Sequence, residues 1–314
     1  MAVTLEAIAT PENFDEAGYL AANPDVAEAV RRGQFRNGRQ HFEGHGRLEG
    51  RAVRFARSIA GIQQDKLNRI APLLRLDLPH LRRGAKYDFL TDELRSETGI
   101  TETSAVSAHG YDPYALDLLE TCRDGLVLDC GAGKRPVYYP NVVNLEIVDY
   151  ETTDVIGVGE TLPFRDNSFE AVLSLSVLEH VRDPFACAAE IARVLKPGGK
   201  LICCVPFLQP LHGYPHHYYN MTGQGLRALF ERRLHIDRHI VPHSTLPLYS
   251  LTWFVQSWAR GLQGPAREQF LSMRLSDLLK QPAELSDRRW VTELPDETNF
   301  ELASATMLFA HKQA

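Results

Sequence analysis

Apolar positions along this chain follow two rhythms, and the change comes near residue 125. From Gly125 onward, short apolar runs alternate with amphipathic stretches. Leu126–Cys130, Val142–Ile147, Ala171–Leu175 and Leu201–Val205 read as buried strands. Pro184–Leu195 reads as a helix, with Pro184 in its first turn and Phe185, Ala188, Ile191, Ala192 and Leu195 along one side. Strands separated by helices imply right-handed crossovers and a mostly parallel sheet, so the class is α/β. Before residue 125 the rhythm is helical. Phe14, Tyr19, Leu20, Val26, Val30 and Phe35 recur at helix-like intervals, broken by Asn23-Pro24-Asp25 and Gly33. The pattern predicts a helical module over 1–54, a helical and irregular linker or cap over 55–108, and the main domain over 109–314. Asp112-Pro113 opens a helix running through Glu120. Near the end come a helix at Thr222–Arg233, an extended run at Leu234–Val241, a helical insertion at about 247–283 and a final strand at Glu301–Ala310.

Composition narrows the function. The net charge is −6 and the pI about 6.1, leaving no basic excess to neutralise a nucleic-acid backbone, so no nucleic-acid partner is expected. Five cysteines without CxxC spacing read as reduced, buried thiols. The N-terminus shows no signal-peptide pattern, and no apolar stretch nears the ~20 residues of a membrane span. A cytoplasmic protein is the expectation.

Chemistry concentrates between Gly125 and Pro206. Leu126-Val127-Leu128-Asp129-Cys130-Gly131-Ala132-Gly133 is an apolar strand ending in an acid and two spaced glycines. Such glycines at a sheet's carboxyl edge let a ligand approach the main chain. Leu162-Pro163-Phe164-Arg165-Asp166-Asn167-Ser168-Phe169, Leu178-Glu179-His180-Val181 and Arg193-Val194-Leu195-Lys196-Pro197-Gly198-Gly199 follow in that order. Together these blocks resemble the class I S-adenosylmethionine-dependent methyltransferases, with a type 11-like domain. The resemblance implies a Rossmann-like sheet closed by a reversed last hairpin, and S-adenosyl-L-methionine as cofactor. It assigns cofactor contacts to Asp129, Gly131, Gly133, Glu146, Glu160, Leu162 and Ser176, and puts His180 in the helix beyond the fourth strand. Glu146 ends the second strand, where a carboxylate accepts from both ribose hydroxyls; Asp149 is the alternative.

Two positions depart from the family. Lys134-Arg135-Pro136 stands where a third glycine is common, and ten residues between Gly133 and Asn144 are too few for a helix and its turns. Lys134 and Arg135 are therefore expected on a short connecting loop. Val158 replaces the acid that binds the adenine amine; losing one charged hydrogen bond costs about 1.5–3 kcal/mol.

After the fifth strand, Val205–Thr222 is aromatic and His-rich. His216 or His217 could take a proton from an acceptor, and His212, Tyr214, Tyr219 and Asn220 could contact it. Binding of a divalent metal by His212, His216 and His217 competes with this, as does simple packing; no metal is expected, since no carboxylate lies close by in sequence. The aromatics of the 247–283 insertion could pack a core, cover the active site, pair two subunits or touch a membrane surface.

The expected reaction is methyl transfer to an oxygen or nitrogen of a small-molecule or glycan acceptor. The alternatives are a degenerate, non-catalytic binding or scaffold protein and, less well matched, a nicotinamide-dependent oxidoreductase. The run Phe14–Val26 with its tail His41–Arg51 is similar to a short helical module of bacterial surface-glycan glycosyltransferases, which ties a glycan setting to the chain by resemblance alone.

Overall fold

The computed structural model describes residues 1–100, 108–213 and 215–304. The chain divides into two compact units, Met1–Cys204 and Val205–Ala314.

The first unit is built on a seven-stranded sheet. The strands of the whole unit, including two small two-stranded sheets (β1 with β7, β2 with β3), are in chain order β1 (Val3–Thr4), β2 (Glu6–Ile8), β3 (Ala52–Arg54), β4 (Leu81–Arg83), β5 (Lys86–Asp88), β6 (Val127–Cys130), β7 (Val137–Tyr138), β8 (Val142–Glu146), β9 (Val155–Ile156), β10 (Phe169–Leu175) and β11 (Leu195–Cys204). The large sheet runs β11-β10-β6-β8-β9-β5-β4. All neighbours are parallel except β4 and β5. The five central strands thus have the order of a doubly wound, Rossmann-like fold, with the direction of winding reversing at β6. Both faces are covered, which is why β6 and β8 are buried at every residue and read as unbroken apolar runs.

The connection from β6 to β8 holds no helix, as the count of residues required. In its place stands β7, paired antiparallel with β1. The N-terminal region braces this short crossover. Leu5 and Glu6 amides both donate to the Pro136 carbonyl, and Lys134 reaches Glu6 at 2.6 Å. Beside it lies the helix Ala60–Ile70, whose Lys66 is fully buried against Asp154 (2.8 Å) and also donates to the Val142 carbonyl. The N-terminal helices pack around Tyr19, Val26, Phe42 and Val53, and β2 pairs with β3 to close that module.

Several elements differ from expectation. The 55–108 segment contains the hairpin β4–β5, which extends the sheet edge beyond β9. His180 lies in a turn, its amide donating to the Val177 carbonyl, because the next helix starts only at Pro184 with Asp183 as its cap. No strand forms at Leu234–Val241, so that half of the expected closing hairpin is replaced by irregular chain. For the expected last strand, Glu301 ends a helix, 302–304 are not strand, and 305–310 lie outside the described residues.

The second unit is helical. Its core gathers Ala259, Leu262, Ala266, Phe270, Trp290 and Leu294. Trp258 stacks on Phe270 (5.7 Å, 6° between planes) and donates its indole N–H to the Trp290 carbonyl at 2.8 Å.

Candidate functional site

The winding reverses between β6 and β10, and the Gly131–Arg135 loop begins at the carboxyl end of β6. Gly131 (φ 80°) and Gly133 (φ 62°) adopt left-handed backbone that strains any other residue. A Cβ on Gly131 would also stand 2.6 Å from the Val177 side chain. The amides of Gly131 and Ala132 share the Leu145 carbonyl, each at 3.0 Å, which stitches the loop to the end of β8. Glu146 completes the stitch: one carboxylate oxygen accepts from the Gly133 amide and the other from the Ile147 amide, both at 2.7 Å. Burial pushes the Glu146 carboxyl above its usual range, and the two amides pull against that. Asp129, Gly131, Gly133 and Glu146 are therefore brought together at one edge. Asp149, the alternative acid, is turned to Lys86 at 2.6 Å.

Two residues without an assigned role join this group. Arg135 is buried and places Nε and Nη2 each 2.8 Å from Asp129 Oδ2. Its Nη1 donates to the His109 carbonyl at 3.0 Å, and its guanidinium lies 4.3 Å over the Tyr111 ring. The Tyr111 hydroxyl donates to the same Asp129 oxygen at 2.5 Å, and burial, then Asp129, holds that phenol well above its ordinary pKa. Asp129 Oδ1 is buried with no hydrogen-bond partner among the described residues. The sequence signal for Arg135 was the lost third glycine. Tyr111 carried none beyond its place ahead of a capped helix.

The remaining assigned contacts lie on neighbouring strand ends. Glu160, in a tight turn, accepts from the Arg182 amide at 3.0 Å, and burial raises its pKa. Leu162 is fully buried, and its amide donates to Glu190 at 2.9 Å. Ser176 has φ 57°, sparsely populated for a residue with a side chain, and its amide donates to the Cys204 carbonyl. Val158 is buried with Leu90 and Ile156 in an apolar cluster.

Glu179 is a further buried acid. Neither carboxylate oxygen has a hydrogen-bond partner among the described residues, and His180 Nε2 stands 3.7 Å away. Burial pushes its pKa up to about 8, so the fold favours the neutral acid. Since the folded value exceeds the ordinary ~4.3, this contribution to stability is full below about pH 4.3 and is lost as pH rises through about 8. Glu179→Gln is accordingly expected to lose less stability than wild type between about pH 5 and pH 9 in urea denaturation. Parallel stability curves would show that the acid is solvated.

The acceptor-side residues fall in the second unit, in a loop closed by the Met221 amide on the Pro206 carbonyl. His217 Nδ1 accepts from the His212 amide at 3.1 Å, and its Nε2 meets Asn220 Oδ1 at 3.0 Å. Both ring nitrogens are thus engaged, with Nε2 the protonated one. Burial lowers the His217 pKa. The His212 ring packs at a tilt against His217 (4.2 Å between centroids) and Trp253 (5.2 Å). His216 and Tyr219 both flank Tyr218. Tyr214 lies outside the described residues.

Comparison with known proteins bears on the first unit. Residues 130–203 match the family model described as a methyltransferase domain. A demethylmenaquinone methyltransferase of Corynebacterium glutamicum is 47% identical over 86 residues, 26% of this chain and 37% of its own length. An uncharacterised methyltransferase of Mycobacterium tuberculosis is 32% identical over 128 residues, 34% of this chain and 52% of its own. The chain spans about half or less of the length of the curated relatives it matches. Among solved structures, a 1,6-didemethyltoxoflavin-N1-methyltransferase of Burkholderia thailandensis aligns at TM-score 0.32 and 18% identity, over 42% of this chain and 72% of that one. The family match begins at Cys130, inside the Asp129–Gly133 block, and runs through β11 almost to its end. Residues 130–203, about a quarter of the chain, are thus similar to a methyltransferase domain.

Proposed function

We propose that this protein transfers a methyl group from S-adenosylmethionine to an oxygen or nitrogen of a small-molecule or glycan acceptor in the cytoplasm. The observation that carries the reading is the unpartnered, buried Asp129 oxygen beside two left-handed glycines at the sheet's switch point. A cofactor with a zwitterionic amino-acid end fits that chemistry: its ammonium supplies the donor Asp129 Oδ1 lacks, and Arg135 offers the opposite charge. Glu146 would hold the ribose hydroxyls, while Val158 and Leu162 would give adenine an apolar setting. When bound, the cofactor supplies a methyl carbon made electrophilic by its sulfonium.

The chain's own residues orient and shield the reactants, and alignment with water excluded accounts for much of the rate. The acceptor must lose a proton, a role we assign to His217 or His216. His217 can serve only once Nδ1, the ring nitrogen that holds the lone pair, leaves the His212 amide. His212, Tyr214, Tyr219 and Asn220 are assigned to the acceptor. One observation favours a non-catalytic scaffold instead: Arg135 and Tyr111 already saturate the other Asp129 oxygen. Incubation of the protein and methyl-labelled cofactor with small-molecule and glycan extracts separates the two. Labelled product that depends on Asp129 is expected; no transfer to any fraction supports the scaffold.

A further inference from the structure

We propose that the exposed stretch 231–252 of the second unit seats this protein on an anionic lipid surface. The inference is independent of the methyl-transfer reading.

The helix Pro247–Gly261 is used unevenly. Its C-terminal half enters the unit's own core, with Ser257 and Ala259 buried and Trp258 stacked on Phe270. Its N-terminal half and the irregular chain before it stay bare: Val241 is 66% exposed, Leu248 62% and Leu251 54%, and Ile240 and Tyr249 are exposed with them. Large apolar side chains gathered on one short stretch mark an interaction surface rather than the usual scattered exposure.

Charge selects the partner. The stretch itself holds Arg232, Arg233 and Arg238 against Glu231 and Asp237, and Arg227 and Arg260 flank it with no further acid between residues 222 and 262, in a chain whose net charge is −6. After Asp237 the next acid is Glu268. In a symmetric dimer this segment would face its own copy and meet like charge. An anionic bilayer satisfies both features, because its phosphates pair with arginine and its acyl boundary accepts Leu248 and Leu251, with Tyr249 suited to the headgroup level. No helix among the described residues is long and apolar enough to cross a membrane, so the contact is peripheral.

The test is co-sedimentation of the full chain with vesicles of phosphatidylcholine alone or mixed equally with phosphatidylglycerol. Binding to the anionic vesicles is expected, at least about tenfold weaker on neutral ones and weakened further by salt. Arg232→Glu/Arg233→Glu and, separately, Leu248→Asp/Leu251→Asp are each expected to weaken it about tenfold or more; all four positions lie outside the cores, so folding should persist. Absence of binding, or equal binding to both vesicle types, would overturn the proposal. So would light scattering that shows a dimer which Leu248→Asp/Leu251→Asp dissociates, with no vesicle binding by wild type.

Discussion

Asp129→Ala is expected to lower unfolding free energy by about 3–5 kcal/mol, because it strands a buried guanidinium. Arg135 is 4% exposed and its main ionic partner is Asp129; Tyr111 offers only its ring face and a hydroxyl that would lose its acceptor. Urea denaturation measures the loss. The paired change Asp129→Asn/Arg135→Met should recover much of the stability, since a neutral pair no longer buries charge. It should not recover cofactor binding, because the charges that match a zwitterion are gone. That split separates the structural role of the pair from its binding role. A loss under ~1 kcal/mol for Asp129→Ala would mean that the pair is solvated, as surface pairs are.

Lys66→Met should be comparably damaging, at about 3–5 kcal/mol. Lys66 and Asp154 are both fully buried at 2.8 Å, and Lys66 lies 3.6 Å over the Tyr138 ring. Asp154 also accepts from the Tyr138 hydroxyl (2.5 Å) and the Asn144 amide (2.9 Å). Burial drives the Lys66 pKa down while Asp154 pulls it up, so the charged pair survives only while it is intact. The pair ties the helix Ala60–Ile70 to β7, β8 and the turn before β9, where the crossover lacks its helix. A single cooperative denaturant transition of the first unit, shifted as a whole, is therefore expected for Lys66→Met. A separate early transition for the N-terminal region, with the sheet's transition unmoved, would contradict the brace.

The central strands were legible because burial on both faces writes itself as continuous apolar sequence, as in Val127-Leu128 and Val142-Val143. The missing crossover helix was legible by counting residues. The hairpin β4–β5 was not: Leu81-Arg82-Arg83 is exposed at every residue, so its strand character comes from antiparallel pairing with β5, which in turn pairs with β9. Leu234–Val241 carries a strand's alternation without a strand partner, and propensity alone did not make one. Within the site, the glycines and Glu146 announced themselves through the strand that ends beside them. The contact of Arg135 and Tyr111 with Asp129 joins residues 6 and 18 positions apart through a loop fold, and local pattern does not encode which side chain turns inward. The tautomer that locks His217 to Asn220 was hidden for the same reason.

The ability of the edge formed by Asp129, Gly131, Gly133 and Glu146 to hold the cofactor is tested most directly by isothermal titration of the purified chain with S-adenosylhomocysteine, the thioether left after methyl transfer. Saturable binding at one site per chain is predicted, weakened at least about tenfold by Glu146→Ala as hydrogen bonds to a charged group are lost. No heat at millimolar ligand from a correctly folded protein would contradict the account.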